Sequence, residues 1–340
     1  MGFRSYLLRR AILTIPVFIG LTLFIFLLAR VLPGDPARMA LGPRATDEAV
    51  AALRIEMGLD DPLHIQYLNY MGGLLQGDMG IALTTNRNVF TDVLAFFPAT
   101  LELVITAMFL AVLFGIPLGI IAALNKDRLG DNLSRLIAFF GVSMPVFWAA
   151  ILIQLAIAYN LGLLPPSGRI GVDRPEWYTG FLIIDSIIAL NFEALRSTLA
   201  HLALPAFALA LAPMADVARM TRSSFIEEYN EDYVRALETQ GLPGRLIAYK
   251  YVLKASFAST LTIIGLDFGF LIGGAFLVEI VFSWPGLARY GVRAILENDI
   301  NAVMGVVLVI GAVFIIVNLI VDVLYGFLDP RVRYGEGSSA

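Results

Sequence analysis

Six apolar blocks constrain this chain more than anything else in it, at residues 11–31, 99–124, 134–160, 197–218, 256–281 and 301–326. A helix needs about 20 mostly apolar residues to cross roughly 30 Å of hydrocarbon, and every block reaches that length. None shows the strict alternation of a half-buried strand or the polar stripe of an amphipathic helix. Apolar residues make up 58% of the chain and charged ones 15%, against roughly 45–50% and 25% in soluble domains. A water-soluble fold would have to bury nearly all of that apolar surface. The reading is therefore an all-α integral membrane protein of six transmembrane helices in a lipid bilayer. A further run, Phe181–Leu190, is too short to span and carries Asp185 in its middle, so it reads as interfacial or re-entrant. The first block follows Arg4, Arg9 and Arg10 and lacks a small-x-small cleavage site, which favours a retained helix over a removed signal.

Lysine and arginine near the helix ends give the orientation. An even number of spans puts both termini on one side, together with 125–133 and 219–255, and these segments hold most of the basic residues. Segment 32–98, on the other side, has four arginines against eight acids. Both termini are thus expected in the cytoplasm. The chain divides into a cytoplasmic N-terminus with the first helix (1–31), an extracytoplasmic cap (32–98), a five-helix core (99–326) and a cytoplasmic tail (327–340). Within the cap, Thr46 is placed to cap a helix with Asp47 and Glu48 in its first turn, ending at Gly58. Asp61 and Pro62 start a second helix, with Leu63, Gln66, Tyr67 and Tyr70 on one face.

Chemistry is sparse. A net charge of −4 gives no support to nucleic acid as a partner, and the absence of cysteine removes disulfides and thiolate metal sites. His64 and His201 are the only histidines, too few for a histidine-built metal centre in one chain. No phosphate-binding G-x-x-x-x-G-K-[ST] loop, H-E-x-x-H or G-x-S-x-G motif occurs. The chain reads as a non-enzyme without a cofactor of its own, and an intramembrane enzyme is disfavoured.

Three features inside the spans remain open at this level. Pro16, Pro117, Pro145, Pro205 and Pro213 are kinks tolerated in a bundle or hinges of a pathway. Gly265, Gly269 and Gly273 repeat every four residues, for close helix packing or to leave room for a solute. Glu102, Asp267 and Asp322 are deep carboxylates, with Asp216 and Glu279 nearer the helix ends. Such groups signal function by default. They serve as ion sites of an ion-coupled secondary transporter, or pair across helices, or line an aqueous path. Phe268, Phe270 and Phe276 sit beside the glycine face.

Loop 219–255 carries most information. Helical periodicity runs from Ser224 to about Gln240, Gly241 suits a left-handed cap, and Pro243 precedes a second short helix from Gly244. Two short helices joined at a glycine make a knob fit for a partner's groove. Here the sequence resembles the EAA-type coupling segment of ABC importer permeases. YVRALETQGL (233–242) is similar to the YVRxARAKGL form of the dipeptide, oligopeptide and nickel branch. LPGDPA (32–37), GLDDPLHIQYLNYM (58–71), GDMG (77–80), PAT (98–100), GIPLGI (115–120), LPPSG (164–168), LVEIVFSWPGLARYGVRAI (277–295) and LDPRVR (328–333) extend the likeness, in order, over essentially the whole chain.

The resemblance implies the type I ABC importer permease fold with a small helical cap, in a prokaryotic inner membrane. It implies partners: a second homologous permease, two ABC ATPases that bind ATP and magnesium, and an extracytoplasmic solute-binding protein. Tyr233, Arg235, Glu238, Gly241 and Leu242 would then couple ATPase closure to the helices. Arg235 stands where the general pattern has glutamate, Leu237 and Thr239 replace small alanines, and Ser259 replaces a common proline. Cargo stays open among peptides, nickel chelates, glutathione, opines and sugars.

Overall fold

A computed structural model describes residues 3–31, 36–42, 44–128, 130–132, 136, 141 and 143–328. Among these, helix is the only extended regular structure, with one isolated antiparallel bridge between Ile81 and Asn88. Helix α1 (Phe3–Val31) is followed by short helices α2 (Pro36–Leu41), α3 (Asp47–Glu56) and α4 (Leu63–Leu75), then the long α5 (Val89–Leu124). Next come α6 (Val146–Ile153), which widens into a π-turn at Gln154–Asn160, α7 (Leu182–Ile188) and α8 (Phe192–Tyr229). The chain closes with α9 (Asp232–Thr239), α10 (Gly244–Leu246) and its π-turn Ile247–Val252, α11 (Leu253–Val281), α12 (Leu287–Leu296) and α13 (Ile300–Leu328).

Among the described residues, five helices are long and apolar enough to cross a bilayer: those covering Leu8–Arg30, Val89–Leu124, Phe192–Tyr229, Gly244–Val281 and Ile300–Leu324. The expected third span, 134–160, is seen as the shorter apolar helix Val146–Asn160. Most of residues 134–142 lie outside the described residues, so that span's full length is not described. Apolar side chains such as Leu8, Ile12, Phe24, Phe109, Phe270 and Ile316 face outward, as lipid requires.

Helices α5 and α8 approach backbone to backbone. A Cβ on Gly115 would lie 2.8 Å from the Met214 carbonyl oxygen, and one on Gly119 2.6 Å from that of Ala218. This small-xxx-small pair lets two backbones touch, and the core of Leu103, Val104, Ala107, Leu202, Ala206 and Leu209 forms around it. Helix α11 packs on α8 and α13, and α1 packs on α13. Arg10 of α1 pairs with Asp322 of α13 at 2.9 Å, so the first turns of α1 and the last turns of α13 share one side, here called the terminal side. The opposite, cap side carries α2–α4 and the α12–α13 turn.

Local chemistry on the cap side follows the residues. Thr46 accepts a hydrogen bond from the Ala49 N–H at 3.3 Å and caps α3. Gln66 turns inward and donates from Nε2 to the carbonyls of Leu59 and Asp61. Tyr67 bonds Thr22 of α1 at 2.9 Å and contacts Phe26 edge-on. Leu63, expected on the same face, is exposed instead.

Candidate functional site

The terminal-side knob is built from the end of α8, from α9 and from the π-turn. An unbroken helix from Ser224 to Gln240 does not form. Asn230 caps α8, with its Nδ2 donating back to the Ile226 carbonyl at 2.7 Å. Glu231 is extended (φ −69°, ψ 151°), and α9 restarts with Asp232 in its first turn. The asparagine satisfies a helix-end carbonyl and frees α9 to lie at its own angle.

Helix α9 ends as the glycine predicts. Gly241 has φ +78°. Its N–H donates to Glu238 O at 2.9 Å, and the Leu242 N–H donates to Leu237 O at 3.3 Å. This is the double hydrogen-bond pattern of a Schellman cap. The underside of the knob is apolar. Val234 is fully buried with Phe225, Ile247, Val252, Ile120 and Ala123, and Tyr233, Leu237 and Leu242 pack against them. Leu237 and Leu242 thus supply the apolar contact that accompanies such a cap. The bulk of Leu237, set against the usual alanine, fills this seam.

Of the five residues expected from the resemblance to couple, Tyr233 and Leu242 face the seam, while Arg235, Glu238 and Gly241 are exposed. Arg235 sits 3.7 Å from Asp232 with both side chains in solvent. The Tyr233 hydroxyl is buried without a hydrogen-bond partner among the described residues. Burial, then the Glu228 carboxylate, push that phenol up. Thr239 donates back to the carbonyls of Arg235 and Ala236, and Ser259 is exposed on α11. Behind the knob, Arg222 of α8 holds Asp131 through two bonds of 2.7 and 2.8 Å, and Asp131 also accepts the Asp127 N–H. This forked contact ties the α5–α6 connection to the base of the knob.

The intramembrane carboxylates separate into distinct environments. Glu102 is buried and paired. Arg169, from the loop after the π-turn, reaches its Oε2 from Nε and Nη2 at 3.1 and 2.6 Å and also donates to Gly180 O. The Ile183 N–H fills Oε1 at 2.8 Å. Burial pulls the Arg169 guanidinium down, and the adjacent Glu102 carboxylate opposes that. Asp322 is paired with Arg10. Asp267 differs: its Oδ2 is buried without a hydrogen bond among the described residues, within electrostatic reach of the Asp216–Arg219 pair on α8.

The glycines divide too. A Cβ on Gly265 would meet Val321 at 2.4 Å and one on Gly269 would meet Phe314 at 2.3 Å, so both are contacts with α13. Gly273 and Gly274 are exposed with open space before them. The glycine stripe is not one surface.

A second polar centre lies on the cap side around Glu279, which the sequence places near a helix end but does not join to its partners. Glu279 is completely buried; its Oε1 accepts from the Thr100 hydroxyl and its Oε2 from the Arg289 N–H at 2.7 Å. Thr100 in turn accepts the Leu287 N–H at 2.7 Å, so a carboxylate and a hydroxyl share the N-terminus of α12, where negative charge is favoured. Trp284, also fully buried, donates to Ala99 O at 2.9 Å. The signal lay in the segment EIVFSWPG: a Cβ on Gly286 would fall 2.1 Å from Glu279 Oε1, and only glycine fits there.

Residues 115–334 match the family described as binding-protein-dependent transport system inner membrane component, and residues 3–104 match the N-terminal region of such membrane components. The chain is similar to the dipeptide transport system permease protein DppB of Alkalihalophilus pseudofirmus, 40% identical over 334 residues, covering 97% of this chain and 99% of that protein. The probable D,D-dipeptide transport system permease protein DdpB of Escherichia coli K12 is 40% identical over 339 residues, 99% of this chain and 100% of the relative. The glutathione transport system permease protein GsiC of Salmonella typhimurium is 36% identical over 330 residues, 97% and 99% of the two chains.

Proposed function

The chain belongs to the family of binding-protein-dependent transport system inner membrane components, and from that membership we propose that it forms half of the pathway by which an ATP-driven importer admits dipeptides. It is a permease subunit of an ABC importer, and this family sets aside the ion-coupled secondary transporter. A related second permease completes the pathway, an extracytoplasmic protein delivers the solute, and two separate ATPase subunits hold ATP and magnesium. The terminal side is the cytoplasmic side, as the distribution of arginine and lysine favours. Dipeptides are chosen because relatives covering nearly the whole chain carry that name.

The observation that carries the coupling role is the two-faced α9. Its outer face offers Arg235, Glu238 and the Gly241 turn to a partner, while its inner face is locked by Val234 and Leu237 to the ends of α5, α8 and α11. Force on such a helix moves its three neighbours together. ATP-driven closure biases a two-state arrangement, and α9 transmits the bias. Mild detergent purification of the tagged chain from its own membrane, with quantification of what accompanies it, tests the assembly. One second permease and two ATPase copies per chain are expected; a folded chain that purifies alone contradicts the reading.

A further inference from the structure

A cavity of about 270 Å³ opens on the cap side between the end of α1, helix α4 and the start of α13. This is just under the roughly 300–1,000 Å³ of pockets for drug-sized ligands, and it suits a compact polar group. Arg30, the last residue of the α1 span, lines it together with Tyr70, Asn69, Asp78 and Asn301. Among the described residues Arg30 makes no hydrogen bond or ion pair. Its Nε is buried without an acceptor, and the guanidinium lies 5.3 Å over the Phe26 ring. A buried donor of this kind is costly to leave unpaired.

The other polar groups on the wall are largely committed. Asp299 accepts from Thr84 and from the Ala302 N–H, and Asn301 donates to Ile81 O at 3.0 Å. Asp78 uses Oδ1 for Gly80 and Asn88, and no hydrogen bond to its Oδ2 is seen among the described residues. Among the described residues, the charged atoms the cavity leaves without a partner are those of Arg30 and the second carboxylate oxygen of Asp78, and these two side chains form no ion pair with each other. It lies where α1 leaves the apolar layer and α13 enters it, beside the aromatic group Phe26, Tyr67 and Tyr70. Tyrosine rings of this kind are common at the level of lipid head groups.

We propose that this cavity binds the head group of an outer-leaflet phospholipid, with its phosphate on Arg30 and an ethanolamine ammonium toward Asp78. The acyl chains run down the exposed apolar side of α1 (Phe24, Leu27 and Leu28). The arrangement uses a fixed lipid to join the cap helices to α1 and α13.

The test is native mass spectrometry of the full-length chain within its purified complex, titrated separately with short-chain phosphatidylethanolamine, short-chain phosphatidylglycerol and inorganic phosphate. Wild type is expected to hold one phosphatidylethanolamine in preference to the others. Arg30→Gln should weaken it about tenfold or more, as loss of a charge-assisted bond implies, and Arg30→Lys should restore much of it. Thermal unfolding of each variant, with and without added lipid, separates lost binding from a lost fold: only chains that keep the charge should gain stability from the lipid. Equal retention by wild type and Arg30→Gln overturns the site. Equal binding of phosphatidylglycerol overturns the ethanolamine assignment. Occupancy by inorganic phosphate alone, with no lipid retained, overturns the lipid.

Discussion

On the cap side, Glu102, Arg169, Glu279, Thr100 and Trp284 are all buried, and each is held by named hydrogen bonds to elements far away in sequence. On the terminal side, α9 keeps its charges in solvent and is held from beneath by Val234, Leu237 and a neighbouring apolar cluster. The first arrangement resists change, because moving one partner leaves a buried charge unpaired. The second tolerates movement as a unit, because apolar contacts have no fixed direction. Under the proposed function, the rigid end is the one that would receive a solute carrier and the movable end the one that would be driven.

The contrast is open to attack in descending order of effect. Breaking the Glu102–Arg169 pair from one side, with Glu102→Gln or Arg169→Met, should cost about 3–5 kcal/mol, the usual penalty for stranding a buried charge. Thermal unfolding in detergent reads this, and the double change Glu102→Leu with Arg169→Met should recover most of the loss. A small effect of the single changes would mean that the cap side is not rigid for the reason given. Gly286→Ala comes next: its Cβ collides with the Glu279 carboxylate, and overpacking of that kind costs about 1–3 kcal/mol. The same unfolding assay should show it, with no loss when Gly274, which faces open space, is changed to alanine.

On the terminal side stability should move less and transport more. A Cβ on Gly241 meets no atom within 4 Å, so the cost of Gly241→Val is chiefly that of a β-branched residue at positive φ, about 1–2 kcal/mol. Insertion should survive, and uptake of labelled dipeptide should fall to background. Normal uptake at normal membrane levels would remove α9 from the mechanism. Arg235→Ala is the mildest change. Its ion pair is solvent-exposed and such pairs contribute little, so the unfolding midpoint should stay put while ATP-dependent uptake declines. A drop in stability without a drop in uptake would reverse the assignment of that face.

What the sequence made legible was governed by local physics. Span positions follow from hydrophobic length, the Thr46 and Gly241 caps from residues adjacent in the chain, and the knob from its Gly-Leu-Pro punctuation. The break at Asn230 was hidden because helical periodicity continues through it, and the end depends on one side-chain hydrogen bond. The Glu102–Arg169 and Thr100–Glu279 contacts join residues 67 and 179 positions apart, and no spacing rule connects them. The glycine stripe shows the same limit: Gly265 and Gly269 meet α13 whereas Gly273 meets open space, although their spacing is identical. A neighbour, not a period, decides what a small residue does.

Because the chain contains no cysteine, Glu238→Cys places a single thiol on the exposed face of α9. A maleimide–benzophenone photocrosslinker, attached to that thiol in native membranes with the complete transporter and inserting into C–H bonds of whatever lies next to it on illumination, then tests directly whether α9 is the contact with the motor. The account predicts an adduct between this chain and an ATPase subunit, with a yield that changes when ATP is added, and no such adduct from Leu75→Cys on the cap side. Absence of any ATPase adduct from position 238 in a complex that still transports would contradict it.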